Sequence, residues 1–241
     1  LWLGALAIST VAGVDLTAGL ISLGFFALAY SLNGGLRAVA LTDIIQVIVL
    51  VMGGVMISWI LLDQIAEGGG PVAGFMSLSE RASDKFHMIL NRDHPHYASL
   101  PGLSVLLGGL WVMNLSYWGF NQYIIQRALA AKNVVEAQKG IAFAAFLKLL
   151  MPLIVVLPGI AMTILTPGLP SPDQAYPSAM TLLPIGLKGL VFAALLAAIV
   201  SSLASMCNSI STIFTMDIAP VLRLRDDDGA LTVRRGRRVA V

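Results

Sequence analysis

Of the 241 residues, 57% are hydrophobic and only 12% are charged, with a mean hydropathy of +0.85; ordinary soluble domains carry about 25% charged residues, so this composition excludes that class and points to a polytopic helical membrane protein. The formal net charge of +2 says little by itself; the distribution of charge says more. The single cysteine, Cys207, excludes an internal disulfide and reads as a small core residue.

Taken in order, Leu1 to Gly13 is apolar but too short to span, and is expected to be the tail of a helix begun upstream. Val14-Asp15 reads as a brief turn, and Leu16 to about Leu32 as a full span. Asn33-Gly34-Gly35 is a turn signal, followed by Arg37. Thr42 to about Leu62 is the next span, with Thr42 and Asp43 suited to its N-terminal end.

A polar section, 63–103, then holds the run Glu67-Gly68-Gly69-Gly70-Pro71 and all three histidines, His87, His94 and His96. Apolar residues at Phe75, Leu78, Ala82, Phe86 and Ile89 predict a short amphipathic surface helix from Ser77 to about Leu90. His94-Pro95-His96 reads as solvated loop rather than metal site.

Ser104 to Ile125 is the central span, and it is unusually polar. Trp111 to Arg127, WVMNLSYWGFNQYIIQR, carries Asn114, Ser116, Tyr117, Asn121, Gln122 and Tyr123 around Gly119. Hydrocarbon penalises unpaired polar groups, so this segment should face protein or water, and the glycine marks a place for the helix to loosen or break. Gly140 to Thr166 spans again, Pro167 to Pro184 reads as a loop, and Leu187 to about Ile218 is the last long helix, closed by Asp217 and Pro220. Alternation puts Arg37, the Arg127/Lys132/Lys139 connection and the arginine-rich tail on one side, which the positive-inside rule makes cytoplasmic. The histidine-bearing section and the 167–184 loop then face outward. Beside a membrane span, topology and lipid headgroups account for the basic tail better than nucleic acid does.

Several residues are costly at bilayer depth. Lys148 lies inside an apolar span, where a lysine costs on the order of 2.5–3.5 kcal/mol, so it either faces a wet cavity or snorkels. Ala198, Ser201, Ser202, Ser205 and Ser209 share one face of the last helix. That face serves close helix packing or supplies hydroxyl and carbonyl oxygens to a hard cation such as sodium. Asp43 is either a capping carboxylate or an acidic attractor on a cation's path. Trp2, Trp59 and Trp111 are interfacial anchors or lipid-facing bulk. No paired carboxylates, phosphate loop or membrane-embedded histidine indicate an enzyme.

GGLWVMNLSYWGFNQYIIQRALAAKNVVEAQKGIAFAAFLK and FAALLAAIVSSLASMCNSISTIFTMDI, with the turn YSLNGGLRAVALTDIIQV, closely resemble the sodium:solute symporter family, and within it the sodium/glucose–galactose cotransporter branch. The resemblance implies an all-α polytopic fold, a partial LeuT-like inverted-repeat core with about five full transmembrane helices plus the end of another. Residues 1–62 would end the first repeat, 63–103 would form the outer connection, 104–218 the first three helices of the second repeat, and 219–241 a cytoplasmic basic loop leading into the next span. It further implies solute contacts from Asn114 and Lys148, an inner aromatic gate at Tyr117 with Trp118 beside it, a sodium site at Ala198, Ser201 and Ser202, and a sodium-release role for Asp43. The expected partners are sodium, a small sugar and the lipid bilayer, in a bacterial inner membrane, with no cofactor and no metal other than sodium. The family's remaining helices are not in this chain, so the piece alone should not transport. Two alternatives are a sensory membrane domain of a signalling protein, and a symporter for proline, pantothenate, inositol or iodide.

Overall fold

The computed structural model describes residues 1–95, 97, 98, 102–222, 236 and 239, with backbone alone for 32–40. Every regular element among them is helical. Among the described residues, four helices are long and apolar enough to cross a membrane: Leu41–Ile65, Gly102–Phe120, Val134–Leu165 and Ile185–Val221. Trp2–Ala12 and Leu16–Ser31 are shorter. Leu16–Ser31 coincides with the described part of the span expected from Leu16 to about Leu32. The chain divides into two compact units, one of Leu1–Ile57 with Leu169–Val241 and one of Ser58–Gly168.

In the first unit, helix Trp2–Ala12 ends on Gly13, whose φ of 68° is the left-handed conformation that only glycine adopts without strain. Asp15 then starts the next helix, its carboxylate accepting from the amides of Thr17 (2.9 Å) and Ala18 (3.2 Å). The backbone is helical from Leu16 to Ile65, passing through Asn33-Gly34-Gly35 where an open turn was expected. The axis nevertheless bends there. The Tyr30 and Thr42 hydroxyls lie 2.5 Å apart across 12 residues, whereas a straight helix would separate their backbones by about 18 Å, beyond the reach of the two side chains. The Asn-Gly-Gly signal therefore marks a bend within helical backbone. Glycine loses only about 1 kcal/mol in a helix, so neighbouring turns can keep it helical.

Ala5, Ile8 and Leu23 are buried, packed against Leu20, Phe192, Leu196 and Ile199, so three helices share one core. Glycine permits their approach: a Cβ on Gly53 would stand 2.5 Å from Val191 Cγ2, which no real contact allows. The last helix runs from Ile185 to Ile213 and continues through a π-type turn, Phe214–Ile218, to Val221. Asp217 and Pro220, expected to close it, lie inside it. Pro220 has no N–H to donate, and widening the preceding turn absorbs that loss. Among the tail arginines, Arg223, Arg225, Arg234, Arg235, Arg237 and Arg238 lie outside the described residues.

The second unit is organised by breaks. Gly68 and Gly70 hold φ near 89° and 88°, turning the chain after Glu67 inside the expected polar section. The surface helix is Pro71–Arg81 with a 3-10 turn over Ser83–Phe86, rather than Ser77 to Leu90. Pro71 is pre-set for the first helical position, which moves the start upstream. Leu78 and Ala82 are buried as their spacing requires, while Phe75 and Phe86 remain largely exposed and meet edge to face at 6.0 Å. His94 lies in a bend, and His96 is outside the described residues.

Helix Val134–Lys148 stops because Pro152 can supply no N–H to the Lys148 carbonyl. A π-type turn, Pro152–Val156, and helix Leu157–Leu165 follow. In that wide turn the Leu153 carbonyl would look to residue 158, which is proline and has no N–H. Ser58, 3% exposed, donates its hydroxyl to that carbonyl instead, at 2.5 Å. Ser58→Ala is therefore expected to destabilise the protein by about 1–2 kcal/mol, the cost of a buried acceptor left without its donor. A thermal unfolding curve in detergent checks this; an unchanged midpoint would show that the carbonyl is satisfied otherwise.

Candidate functional site

The anticipated residues fall into two groups, one in each unit. In the first unit, the last helix buries one stripe, Val191, Ala194, Ser201, Ala204, Ser205 and Ser209. Spacings of three, four and seven residues place these positions on one helical face. Ser201 is 2% exposed and Ser205 fully buried, while Ala198 and Ser202 are half-buried beside them. The Ser201 hydroxyl donates to the Asp43 carboxylate, 158 residues away in sequence. Asp43 was expected to serve as a helix cap or as an ion attractor. Its backbone lies within continuous helix, so it starts none, and its carboxylate is aimed at the serine face.

This donor set is chemically consistent with a hard cation. Hydroxyls, helix carbonyls and one carboxylate are all oxygen ligands, and an ion would replace the hydroxyl proton as the partner of the Asp43 charge. Among the described residues, no three His, Cys, Asp or Glu side chains gather as a metal site would require.

The second group surrounds a helix break. Helix Gly102–Phe120 widens into a π-type turn over Ser116–Phe120 and then stops. Asn121 takes extended backbone (φ −82°, ψ 111°) and its side chain accepts from the Tyr123 amide at 3.1 Å, starting helix Gln122–Leu129. The break thus falls at Asn121, two residues after Gly119. Asparagine can cap the new helix with its side chain, which glycine cannot. Of the anticipated solute contacts, Asn114 donates one amide N–H to the Leu110 carbonyl at 2.8 Å; its amide oxygen can accept and its second N–H can donate to a solute. Tyr117 and Trp118 meet edge to face, ring centroids 5.4 Å apart at 82°. Lys148 reaches this pair: its Nζ stands 4.4 Å from the centre of the Trp118 ring.

Two pairings were not legible beforehand. Nothing in the spacing joins Asp43 to Ser201 or Lys148 to Trp118, because each pair connects separate helices. The requirement that an intramembrane lysine find a partner was the one available signal. Gly102–Phe120 was expected to face protein or water, and its most apolar window is largely exposed within this chain.

Residues 1–241 match the sodium:solute symporter family. The chain is similar to a sodium/glucose cotransporter of Vibrio parahaemolyticus, 50% identical over 258 residues that cover 100% of this chain and 48% of that protein. A human sodium/myo-inositol cotransporter 2 is 35% identical over 266 residues, covering 97% of this chain and 38% of the relative. An uncharacterized symporter of Escherichia coli (strain K12) is 38% identical over 200 residues, 82% of this chain and 34% of the relative. The chain spans about half, or less, of the length of these curated relatives.

Proposed function

This chain belongs to the sodium:solute symporter family, and we propose that the transporter containing it imports a sugar of the glucose–galactose kind, coupled to sodium, by alternating access. As a member of that family of multi-pass membrane transporters, it contributes helices from which an ion site and part of a solute site are built. The observation that carries the reading is the buried oxygen cluster on the last helix, with the Asp43 carboxylate drawn to Ser201. Sodium is held by the Ala198 carbonyl and the Ser201 and Ser202 hydroxyls, with Asp43 on its exit route. Sugar hydroxyls meet the amide oxygen of Asn114 and the ammonium of Lys148. Tyr117, backed by Trp118, closes the route to the cytoplasm.

Coupling requires that sodium bind one conformation better than the other, since equal affinity for both would shift nothing. A membrane potential of 100 mV adds roughly 2.3 kcal/mol per charge carried fully across. The 50% identity to a sodium/glucose cotransporter supports the hexose. The 35% identity to a sodium/myo-inositol cotransporter supports a second reading, a cyclic polyol, which would use the same Lys148 and Asn114 chemistry. The chain alone, about half the length of those relatives, is inactive under this reading.

The test is uptake of glucose, galactose and myo-inositol into proteoliposomes holding the full-length transporter, started by a sodium jump. Uptake should require sodium. Ser202→Ala should raise the sodium concentration for half-maximal uptake about fivefold to tenfold, the loss of one hydroxyl ligand worth roughly 1–1.5 kcal/mol. Unchanged sodium affinity would remove Ser202 from the site.

A further inference from the structure

Lys148 and Trp118 lie at two helix breaks. Lys148 is the last residue of its helix, where Pro152 ends the ladder. Trp118 is in the last, widened turn before Asn121. The lysine stem is long and flexible, so the position of the ammonium depends on what its side chain rests against. It rests on the indole face, at 4.4 Å from the ring centre, while the Tyr117 ring sets the indole's tilt from the side.

The choice of an aromatic partner has a chemical consequence. A carboxylate would both neutralise the lysine and occupy its N–H donors. An indole face attracts the cation through its quadrupole and accepts no directional bond of comparable strength. The ammonium held this way is fixed in place yet keeps donors for a neutral, hydroxyl-rich solute. From this geometry we infer that Trp118 is a positioning residue: it holds the Lys148 ammonium over its ring face so that the lysine's donors remain directed to the solute. The inference rests on the reading of Lys148 as a solute contact. Trp118 itself need make no hydrogen bond to the solute.

The test replaces Trp118 in the full-length transporter with mono-, di- and trifluorinated tryptophan by nonsense suppression. Successive fluorines drain the ring face of electron density with little change of shape. The probe is radiolabelled glucose or galactose, taken up in sodium. The KM for sugar should rise at each step, several-fold across the series, with the maximal rate changing much less. In a Lys148→Met background the steps should vanish. Thermal unfolding of the same proteins supplies a readout that needs no transport: the midpoint should fall along the series with Lys148 present and stay level in Lys148→Met.

A flat KM series in an active transporter overturns the positioning role, as does a graded series that persists in Lys148→Met. A level set of unfolding midpoints with Lys148 present also overturns it, because the pair then contributes nothing. Absence of sodium-dependent uptake of either sugar by the unsubstituted transporter is a different failure. It refutes the proposed function, and the positioning role falls with it even if the midpoints are graded.

Discussion

Asp43→Asn is expected to raise the sodium concentration giving half-maximal solute uptake by the full-length transporter, by roughly 10- to 100-fold. The asparagine keeps the shape of the side chain and an oxygen to accept from Ser201, so the serine face stays packed. What it removes is the charge. The carboxylate attracts a cation directly, in a setting less screened than water: across about 6–8 Å at an effective dielectric near 20 a unit charge contributes roughly 2–3 kcal/mol, and each 1.4 kcal/mol is about tenfold in affinity. Asp43→Asn should therefore exceed Ser202→Ala in its effect on sodium and leave the thermal unfolding midpoint close to that of the parent. A sodium titration of initial uptake rates decides it. If half-activation does not move, the Asp43–Ser201 contact is helix packing and the ion site lies elsewhere.

Gly74→Ala is expected to destabilise the fold by about 2 kcal/mol, although alanine is the better helix former by about 0.5–1 kcal/mol. Gly74 lies within helix Pro71–Arg81, so propensity alone forecasts a gain. The surroundings reverse the sign. A Cβ there would stand 1.9 Å from the Leu62 carbonyl oxygen and 2.5 Å from its carbon, both backbone atoms that cannot rotate away. Overpacking of this kind typically costs 1–3 kcal/mol, and about 3 is the expected gross cost where main chain must shift. Gly140 provides the contrast. It too is inside a helix, Val134–Lys148, but a Cβ on it would meet nothing within 4 Å. Gly140→Ala should therefore stabilise by up to about 1 kcal/mol. Unfolding midpoints of the two variants should move in opposite directions. Movement in the same direction would mean that the surface helix relaxes away from Leu62 at little cost.

The two glycines show how far local sequence reaches. Composition and hydropathy alone determined that this is a helical membrane chain, because the cost of placing backbone and side chains in hydrocarbon is additive along the chain. The long motifs around Asn114 and Ser201 were enough to identify the family, and the serine spacing on the last helix correctly marked one buried face. Glycine also marked some interruptions, since its effect on the helix is local: Gly13 and the glycine run after Glu67. The end of the helix at Lys148 before Pro152 falls inside what was expected as one span, Gly140 to Thr166.

Where an interruption could be absorbed, the sequence did not decide its form. The Asn33-Gly34-Gly35 signal became a bend in helical backbone, Pro220 entered a widened turn, and the break near Gly119 settled on Asn121, which brings its own cap. The pairings were beyond reach for a different reason. Asp43 with Ser201, Lys148 with Trp118 and Ser58 with the Leu153 carbonyl each join helices far apart in sequence. A helical period fixes which residues share a face of one helix. Which face meets which neighbour, and at what height, is set only by how the helices pack, and that information belongs to the tertiary structure.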